Sequence, residues 1–504
     1  MRAGLVPASV VMIAVALFRP LVVWARNPWD LAAPQELFLY SVVLLAIQTA
    51  VFYAAFTLRA NIMSATVLAA GSTFVVIQWH QLGFIPPWSW LIVVVGLAAV
   101  SHLHGNTRWI SYVAWVAAAV LVLAPAIQVG VAHVQRADPY PIVELAPRAP
   151  VEATGNVEDV LVLIVDSYPS FQVARDWFGH DTTDLASALT THGFVVQDTG
   201  WSHNTFTGLA VPGLLELKPI VEAGETRPWG NRRSTYELVR GESLVAASLQ
   251  FAGFSYTHIE SGWEGAHCGD AVDTCMPAPW FRETSWSLLE SSLLREWLLD
   301  RYGNFSVPGT EQAVSHLKDL KDRFDDGKKD FIFAHLLLPH VPIVVDENCE
   351  VKGGNGEDRG ILDPQLAEPE SVITFTSHLA CVDSLLGDVV EVIGDRTAAI
   401  ITGDHGTGSN GQISRPPNAW SDADIAERLG VLLAYKLPQG CNARETDSNI
   451  EAMRMIMGCA THIELPSNHG KYLIGAQDPV WVDPARMDSI KDRVAQGSIR
   501  PEGS

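Results

Sequence analysis

Apolar residues along this chain fall into two regimes. Over the first 135 residues they form five long runs, at about 5–25, 37–58, 62–82, 87–104 and 110–133. Each is near the length at which a helix crosses a hydrocarbon core. Short polar or proline-bearing connections separate the runs, such as Arg26-Asn27-Pro28-Trp29-Asp30 and Ile85-Pro86-Pro87-Trp88, and Trp and Tyr gather near several run ends, as at a membrane–water boundary. A cleaved leader explains only the first run. Five in succession predict a polytopic helical domain over residues 1–135. Residues 136–157 then lack periodicity and are proline-rich, which predicts an extended, semi-rigid linker.

From residue 158 the pattern changes to short apolar runs that alternate with amphipathic stretches. The run Asp159-Val160-Leu161-Val162-Leu163-Ile164-Val165 is continuously apolar after its first residue, as in a strand covered on both faces by helices. A helix over 185–192 precedes a strand at 194–196, and a helix over 243–253 precedes a strand at 254–258. Helices are predicted at 286–300 and 314–324, a strand at 330–338, and a helix at 374–392 that leads into the strand 398–402. A helix at 423–429 and a strand at 431–435 follow. After about 480 the chain reads as a polar tail with one short helical stretch near 487–495. The expected fold is thus an α-helical transmembrane bundle followed by an α/β domain with a central, mostly parallel sheet over 158–478, and a tail at 479–504.

Charge sharpens this division. Residues 1–135 hold five Lys/Arg and two Asp/Glu, a net of +3 against −22 for all 504 residues, so the remainder carries −25. So acidic a domain would be repelled by a phosphate backbone, which excludes a nucleic-acid partner. Arg2, Arg59 and Arg108 fall on one side of the predicted spans, with Arg26 on the other beside Asp30 and Glu36. That bias places the N-terminus inside the cytoplasmic membrane and, after five spans, the second domain outside it. All six cysteines (Cys268, Cys275, Cys349, Cys381, Cys441 and Cys459) lie in that second domain, as a disulfide framework in an oxidising compartment requires. Cys268–Cys275 would close a small loop and Cys441–Cys459 a second one, leaving Cys349 with Cys381; six reduced thiols are the alternative. The chain is read as a monomer.

The candidate chemistry sits where apolar strands end. Asp166 ends the first strand, and Gly403-Asp404-His405-Gly406 ends the strand 398–402. The C-terminal edge of strands in an open α/β sheet is where ligands bind, and an Asp–His pair there offers a hard oxygen and an imidazole nitrogen to zinc or manganese. The alternative is a turn whose Asp caps a helix. Thr207 precedes the short apolar stretch Gly208-Leu209-Ala210-Val211-Pro212, so it stands at a helix N-terminus that favours an anion, unless it or Thr205 only caps that helix. Together Asp166, Thr207, Asp404 and His405 make a four-ligand set in which the hydroxyl binds as an alkoxide and is activated as a nucleophile. His340, in a Pro-His turn, and His469, in a late loop, are candidate substrate contacts, whereas His335, inside its run, reads as a core histidine.

At these residues the chain resembles the alkaline-phosphatase/sulfatase superfamily, above all its membrane-anchored branch of lipid-A phosphoethanolamine transferases and lipoteichoic-acid synthases. The matching pieces come in order over about 157–475: the strand ending in Asp166, the Thr207 turn with Ala210-Val211-Pro212-Gly213-Leu214-Leu215, Pro339-His340-Val341-Pro342, and Gly403-Asp404-His405-Gly406. The resemblance implies Thr207 as the nucleophile of a phosphothreonine intermediate, Asp166, Asp404 and His405 as ligands of a divalent ion, and His340 facing the substrate phosphate. It implies transfer of a phosphoethanolamine- or glycerophosphate-type group to an envelope lipid or glycan. The alternatives are a phosphatase, phosphodiesterase or atypical sulfatase, or an inactive envelope protein. No Cys/Ser-x-Pro-x-Arg motif follows Asp166, which disfavours sulfate-ester hydrolysis. Asp166 stands where the transferase branch usually has Glu, Thr407 where Glu usually follows, and Pro417 where a His is usual. Donor and acceptor therefore stay open.

Overall fold

The computed structural model describes residues 2–26, 34–58, 60–81, 87–103, 107–134, 157–220, 232–324, 326–340, 343–351, 369–409, 411–441, 444–462, 465, 471–475 and 479–499. The linker expected at 136–157, apart from Val157, and the candidate His469 lie outside these residues. The chain divides into two compact units: Met1–Arg136 with Glu283–Leu299, and Ala137–Arg282 with Asp300–Ser504.

In the first unit the apolar runs are helices α1 (Arg2–Arg26), α2 (Pro34–Thr57), α3 (Ile62–Ile77), α4 (Pro87–Leu103) and α5 (Thr107–Val134). Among the described residues two stretches, Ala8–Ala25 and Gln35–Thr57, are long and apolar enough to cross a membrane, and α3, α4 and α5 carry shorter apolar stretches. Phe38 and Tyr53 of α2 are 73% and 69% exposed, on a helix with an apolar surface all round. Arg19 is a charge buried in α1. Its guanidinium meets Glu290 at 3.0 Å and donates to the Ser287 carbonyl, so the partner it needs comes from the 283–299 segment of the same unit.

The rest of the chain runs through β1 (Asp159–Val165), α6 (Phe171–Phe178), α7 (Thr183–Thr191), β2 (Val195–Trp201), α8 (Thr207–Leu215), α9 (Arg232–Glu237), α10 (Leu244–Phe251), β3 (Ser255–Ile259) and β4 (Thr274–Met276). Then come α11 (Glu283–Leu289), α12 (Arg295–Tyr302), α13 (Ser306–Asp319), β5 (Asp330–Leu336), α14 (Pro369–Val390) and β6 (Thr397–Gly403). It finishes with α15 (Asp422–Leu429), β7 (Gly430–Lys436), α16 (Asn449–Thr461), β8 (Leu473–Ile474), β9 (Val480–Trp481) and α17 (Pro484–Ala495). Seven strands form one sheet in the order β2-β7-β6-β1-β5-β3-β4, while β8 and β9 pair separately. Pairing is parallel from β6 through β4; β7 runs antiparallel to both β6 and β2.

β1 shows why the sheet is covered on both faces. Leu161, Leu163 and Val165 belong to one core with residues of α6, α7, α13 and α14. Val160, Val162 and Ile164 belong to a second core with residues of α8, α10 and α16. Alternate side chains of a strand point to opposite faces, so an unbroken apolar run buries both, each aliphatic side chain contributing about 1.5–3 kcal/mol. Three disulfides, Cys268–Cys275, Cys349–Cys381 and Cys441–Cys459, brace the loops around these cores.

The helix expected over 314–324 is α13 at Ser306–Asp319, and two further stretches differ from the sequence reading. The helix expected over 286–300 is broken into α11 and α12, because the Ser291-Ser292 pair turns the chain: Ser292 N–H and Oγ both bond the Leu289 carbonyl, and Arg295 N–H bonds the Ser292 carbonyl. The stretch after 478 is packed. Asp483 caps α17 through Ala485 N–H and Arg486 N–H, and Met487, Ile490 and Val494 are buried with Trp201, Trp420 and Leu429. Its apolar positions are spaced three and four apart among charges, a helical stripe too sparse to stand out from a polar tail.

Candidate metal centre

Strand register brings the site together. Val165 of β1 pairs with Gly403 of β6 on one side and with Leu336 of β5 on the other. The next residues, Asp166 and Asp404, therefore leave neighbouring strands at the same level and the same edge. Both are buried, at 6% and 1% exposure. Two glycines make the turn after β6 fit: a Cβ on Gly403 would stand 2.6 Å from the Tyr168 carbonyl oxygen, and one on Gly406 would stand 2.0 Å from that of Glu427. Ser167 holds a left-handed backbone, φ 62°, which costs a non-glycine residue about 1–3 kcal/mol and is met at functional sites. Its N–H donates to Asp404 Oδ1 at 3.1 Å and its hydroxyl to Asp166 Oδ1 at 3.2 Å, so this strained residue ties the two carboxylates together.

Thr207 opens α8 as its first residue; the cap position is Phe206, with no side-chain cap bond. The Thr207 hydroxyl is thus free of a capping role and lies 3.0 Å from His405 Nε2. His405 Nδ1 is 3.1 Å from the Gly406 carbonyl oxygen. A carbonyl only accepts, so Nδ1 carries the proton and Nε2 presents its lone pair. That lone pair faces Asp404 Oδ2 at 3.4 Å and Asp166 Oδ1 at 3.7 Å. Asp404 Oδ2 is itself buried without a hydrogen bond of ordinary geometry.

The electrostatics follow from this crowding. Burial alone would raise Asp166, but His340 and His335 more than offset it and hold its carboxyl well below the usual carboxylate range. Asp404 is pushed up to about 6 by burial and by the Asp166 charge. Burial, then Arg428, holds His405 well below its ordinary value, so the ring is neutral. Two carboxylates and an imidazole lone pair crowd together with the Thr207 hydroxyl as their nearest shared donor, a repulsive arrangement that a cation would relieve. The three ligand atoms lie within 4.8 Å of one another, and a tetrahedral zinc site has edges of about 3.3 Å. The donor set and its spacing fit zinc or manganese.

Of the other candidates, His340 follows β5 with its ring 6.2 Å from that of His405, centroid to centroid. His335 is fully buried, as its place inside the strand predicts, and its Nε2 also stands 3.5 Å from Asp166 Oδ2. Arg428, in the last turn of α15, was not legible as a site residue. It is 4% exposed, and its Nε and Nη1 donate to the carbonyls of Thr205 at 2.9 Å and Gly406 at 2.6 Å. One guanidinium thus joins the loop that carries Thr207 to the loop that carries Asp404 and His405. Beside it Glu427, fully buried, accepts from Thr407 Oγ1, Ser409 N–H, Ser409 Oγ and Gln412 Nε2 and holds the loop after His405. No spacing in α15 marks either residue, because their partners are loop carbonyls and hydroxyls far away in the chain.

No protein-family model matches the chain, and no curated protein matches its sequence. Among solved structures it is similar to the integral membrane lipooligosaccharide phosphoethanolamine transferase A from Neisseria meningitidis, at 14% identity over 90% of this chain and 95% of that one, TM-score 0.44. It is similar also to the C-terminal periplasmic domain of EptC from Escherichia coli in complex with zinc, at 13% identity over 66% of this chain and 94% of that one, TM-score 0.43. A third likeness is to the phosphonate monoester hydrolase of Agrobacterium radiobacter, at 13% identity over 59% of this chain and 72% of that one, TM-score 0.38. The chain is therefore similar to phosphoethanolamine transferases and to a phosphonate hydrolase, but at TM-scores of 0.44 and below these likenesses say nothing of what it does.

Proposed function

We propose that this chain is a membrane-anchored, metal-dependent phosphotransferase that forms a covalent phosphothreonine at Thr207 and passes the group to an envelope lipid or glycan. The observation that carries this reading is the Thr207 hydroxyl at the N-terminus of α8, 3.0 Å from His405 Nε2, which itself faces the Asp166/Asp404 pair. Asp166, Asp404 and His405 would hold a zinc or manganese ion, which lowers the pKa of the hydroxyl and offsets charge on the phosphoryl oxygens. Thr207 Oγ attacks phosphorus, the Oγ–P bond forms, and the bond from phosphorus to the donor alcohol breaks. The threonine proton ends, by way of solvent, on the departing alcohol. An acceptor hydroxyl then attacks the same phosphorus and releases Thr207 Oγ, its proton passing by way of solvent to the threonine. The first turn of α8 directs backbone N–H groups and its positive end at the phosphoryl oxygens, and we assign His340 to that group as well. His405 Nδ1–H, held by the Gly406 carbonyl, keeps the ring turned toward the site. A lipid substrate accounts for an anchored enzyme, and the apolar helices supply the anchor.

Metal content and intact mass test this. The full chain, purified and acid-quenched after incubation with phosphatidylethanolamine vesicles, is expected to hold about one zinc or manganese ion and to show a phosphoethanolamine mass increment that Thr207→Ala lacks. Free phosphoethanolamine accumulating with water as the acceptor would make it a hydrolase. A folded chain that takes up neither ion overturns the reading.

A further inference from the structure

The segment Glu283–Leu299 lies between β4 and α13 in sequence yet belongs to the unit of α1–α5. Its hydrogen bonds place it. Arg19, near the C-terminal end of α1, donates to the Ser287 carbonyl and Glu290. Ser285 Oγ donates to Glu36 Oε2 at 3.1 Å in the first turn of α2. At the end of α3, Ser291 Oγ donates to the Ile77 carbonyl at 2.7 Å and Leu293 N–H to the Val76 carbonyl at 3.0 Å, while His80 N–H donates to the Ser291 carbonyl at 3.1 Å. Leu288 is buried against Val23 and Leu37. The ends of α1 and α3 and the start of α2 are one end of the bundle, so the segment caps that end and satisfies carbonyls that a helix C-terminus leaves open.

At this level the segment exposes three large apolar side chains within five residues. Leu293 is 48% exposed, Leu294 49% and Trp297 58%, with Arg295 and Glu296 between them. Leu293 adjoins Val76, 36% exposed at the end of α3, and the end of α1 also exposes Trp24 (40%). A tryptophan and leucines beside charged residues, level with the ends of apolar helices, suit the boundary between headgroups and acyl chains. We propose that Leu293, Leu294 and Trp297 insert into the lipid bilayer at that boundary, making 283–299 an interfacial anchor clamped to the bundle end through Arg19–Glu290 and the α3 carbonyls. The occupant of this face is lipid, because its apolar surface continues the outside of the helices. The proposal rests on the membrane-anchored reading.

Nitroxide depth measurements on the full chain in phosphatidylcholine/phosphatidylglycerol vesicles test it. All six native cysteines are in disulfides, so a single introduced cysteine takes the label. Leu294→Cys and Trp297→Cys are compared with Ile47→Cys in α2, 49% exposed, and with Asp395→Cys, whose side chain is fully exposed on the sheet unit. Labels at 294 and 297 are expected to collide several-fold more with oxygen than with a water-soluble nickel chelate, as at 47, and the label at 395 the reverse. Nickel access at 294 and 297 equal to that at 395, with 47 still oxygen-rich, overturns the interfacial anchor alone. Low collision with both reagents there overturns it in favour of a protein contact, and nickel access at 47 as well overturns the membrane reading itself.

Discussion

Replacing Arg428 with methionine is expected to destabilise the sheet unit by about 3–5 kcal/mol, the usual effect of removing one partner from a buried charged network. Its guanidinium is 4% exposed and donates to two loop carbonyls, those of Thr205 and Gly406, which methionine would leave buried without those donors. It is also a positive charge near Asp404 and Asp166, whose carboxylates partly sustain its ionisation although burial lowers it to about 10. Without it the metal-free pair loses a counter-charge. The transition midpoint of the unit should fall by about 4–7 °C, given an unfolding entropy of about 2.1 cal/mol/K per residue over its roughly 350 residues. Because the residue joins the Thr207 loop to the Asp404-His405 loop, zinc affinity should also fall by about 10–100-fold, as when groups that orient metal ligands are lost. Thermal melting and zinc competition against a chelator read the two effects separately. An unchanged midpoint with unchanged affinity would show that the loops hold each other without it.

The second large effect concerns Asp404, and its sign depends on metal. In the metal-free chain burial and the Asp166 charge raise Asp404 to about 6 from an ordinary 3.8. The folded state then binds this proton more tightly than the unfolded state does. Its contribution to stability therefore falls as pH rises from about 4 to about 6, reaching a penalty of about 3 kcal/mol above that window. Asp404→Asn keeps the shape and cannot ionise. Stripped of metal, the variant should match the native chain near pH 4 and exceed it by about 3 kcal/mol at pH 7. The comparison is a difference between two proteins, because histidines held neutral by burial, His203 and His258 at about 4, tilt both profiles the other way. Zinc should reverse the order: at a thousand times its dissociation constant the native chain gains about 4.1 kcal/mol and the variant little. Equal responses to zinc would remove Asp404 from the metal site.

The parts of the site that were legible in the sequence are those where chemistry follows directly on a strong local pattern. Asp166 and Asp404-His405 could be singled out because each ends an apolar run bounded by a turn, and a strand covered on both faces reads as such from its own residues. Thr207 was legible as a residue opening a short helix, but whether it capped that helix was not. The structure decides this, since Phe206 takes the cap position and leaves the hydroxyl to His405. His335 shows the opposite limit. Its position inside a strand correctly implied burial, yet a neighbour at 3.5 Å on Asp166 depends on β5 lying beside β1, which no periodicity records.

What the sequence by itself determined is local: the apolar helices, the strand and helix alternation of the second domain, and the strand ends that carry carboxylate and imidazole. These follow from hydrophobic spacing and turn chemistry within a dozen residues. Tertiary structure alone decided the strand order that sets Asp166 level with Asp404, the antiparallel course of β7, the helical packing of 484–495, and the return of 283–299 to Arg19. It also decided that Arg428 bridges carbonyls more than twenty residues away at one end and more than two hundred at the other. The physical reason is that a buried charge or carbonyl must find a partner somewhere, and which partner depends on how distant elements pack, not on the residues beside it in the chain.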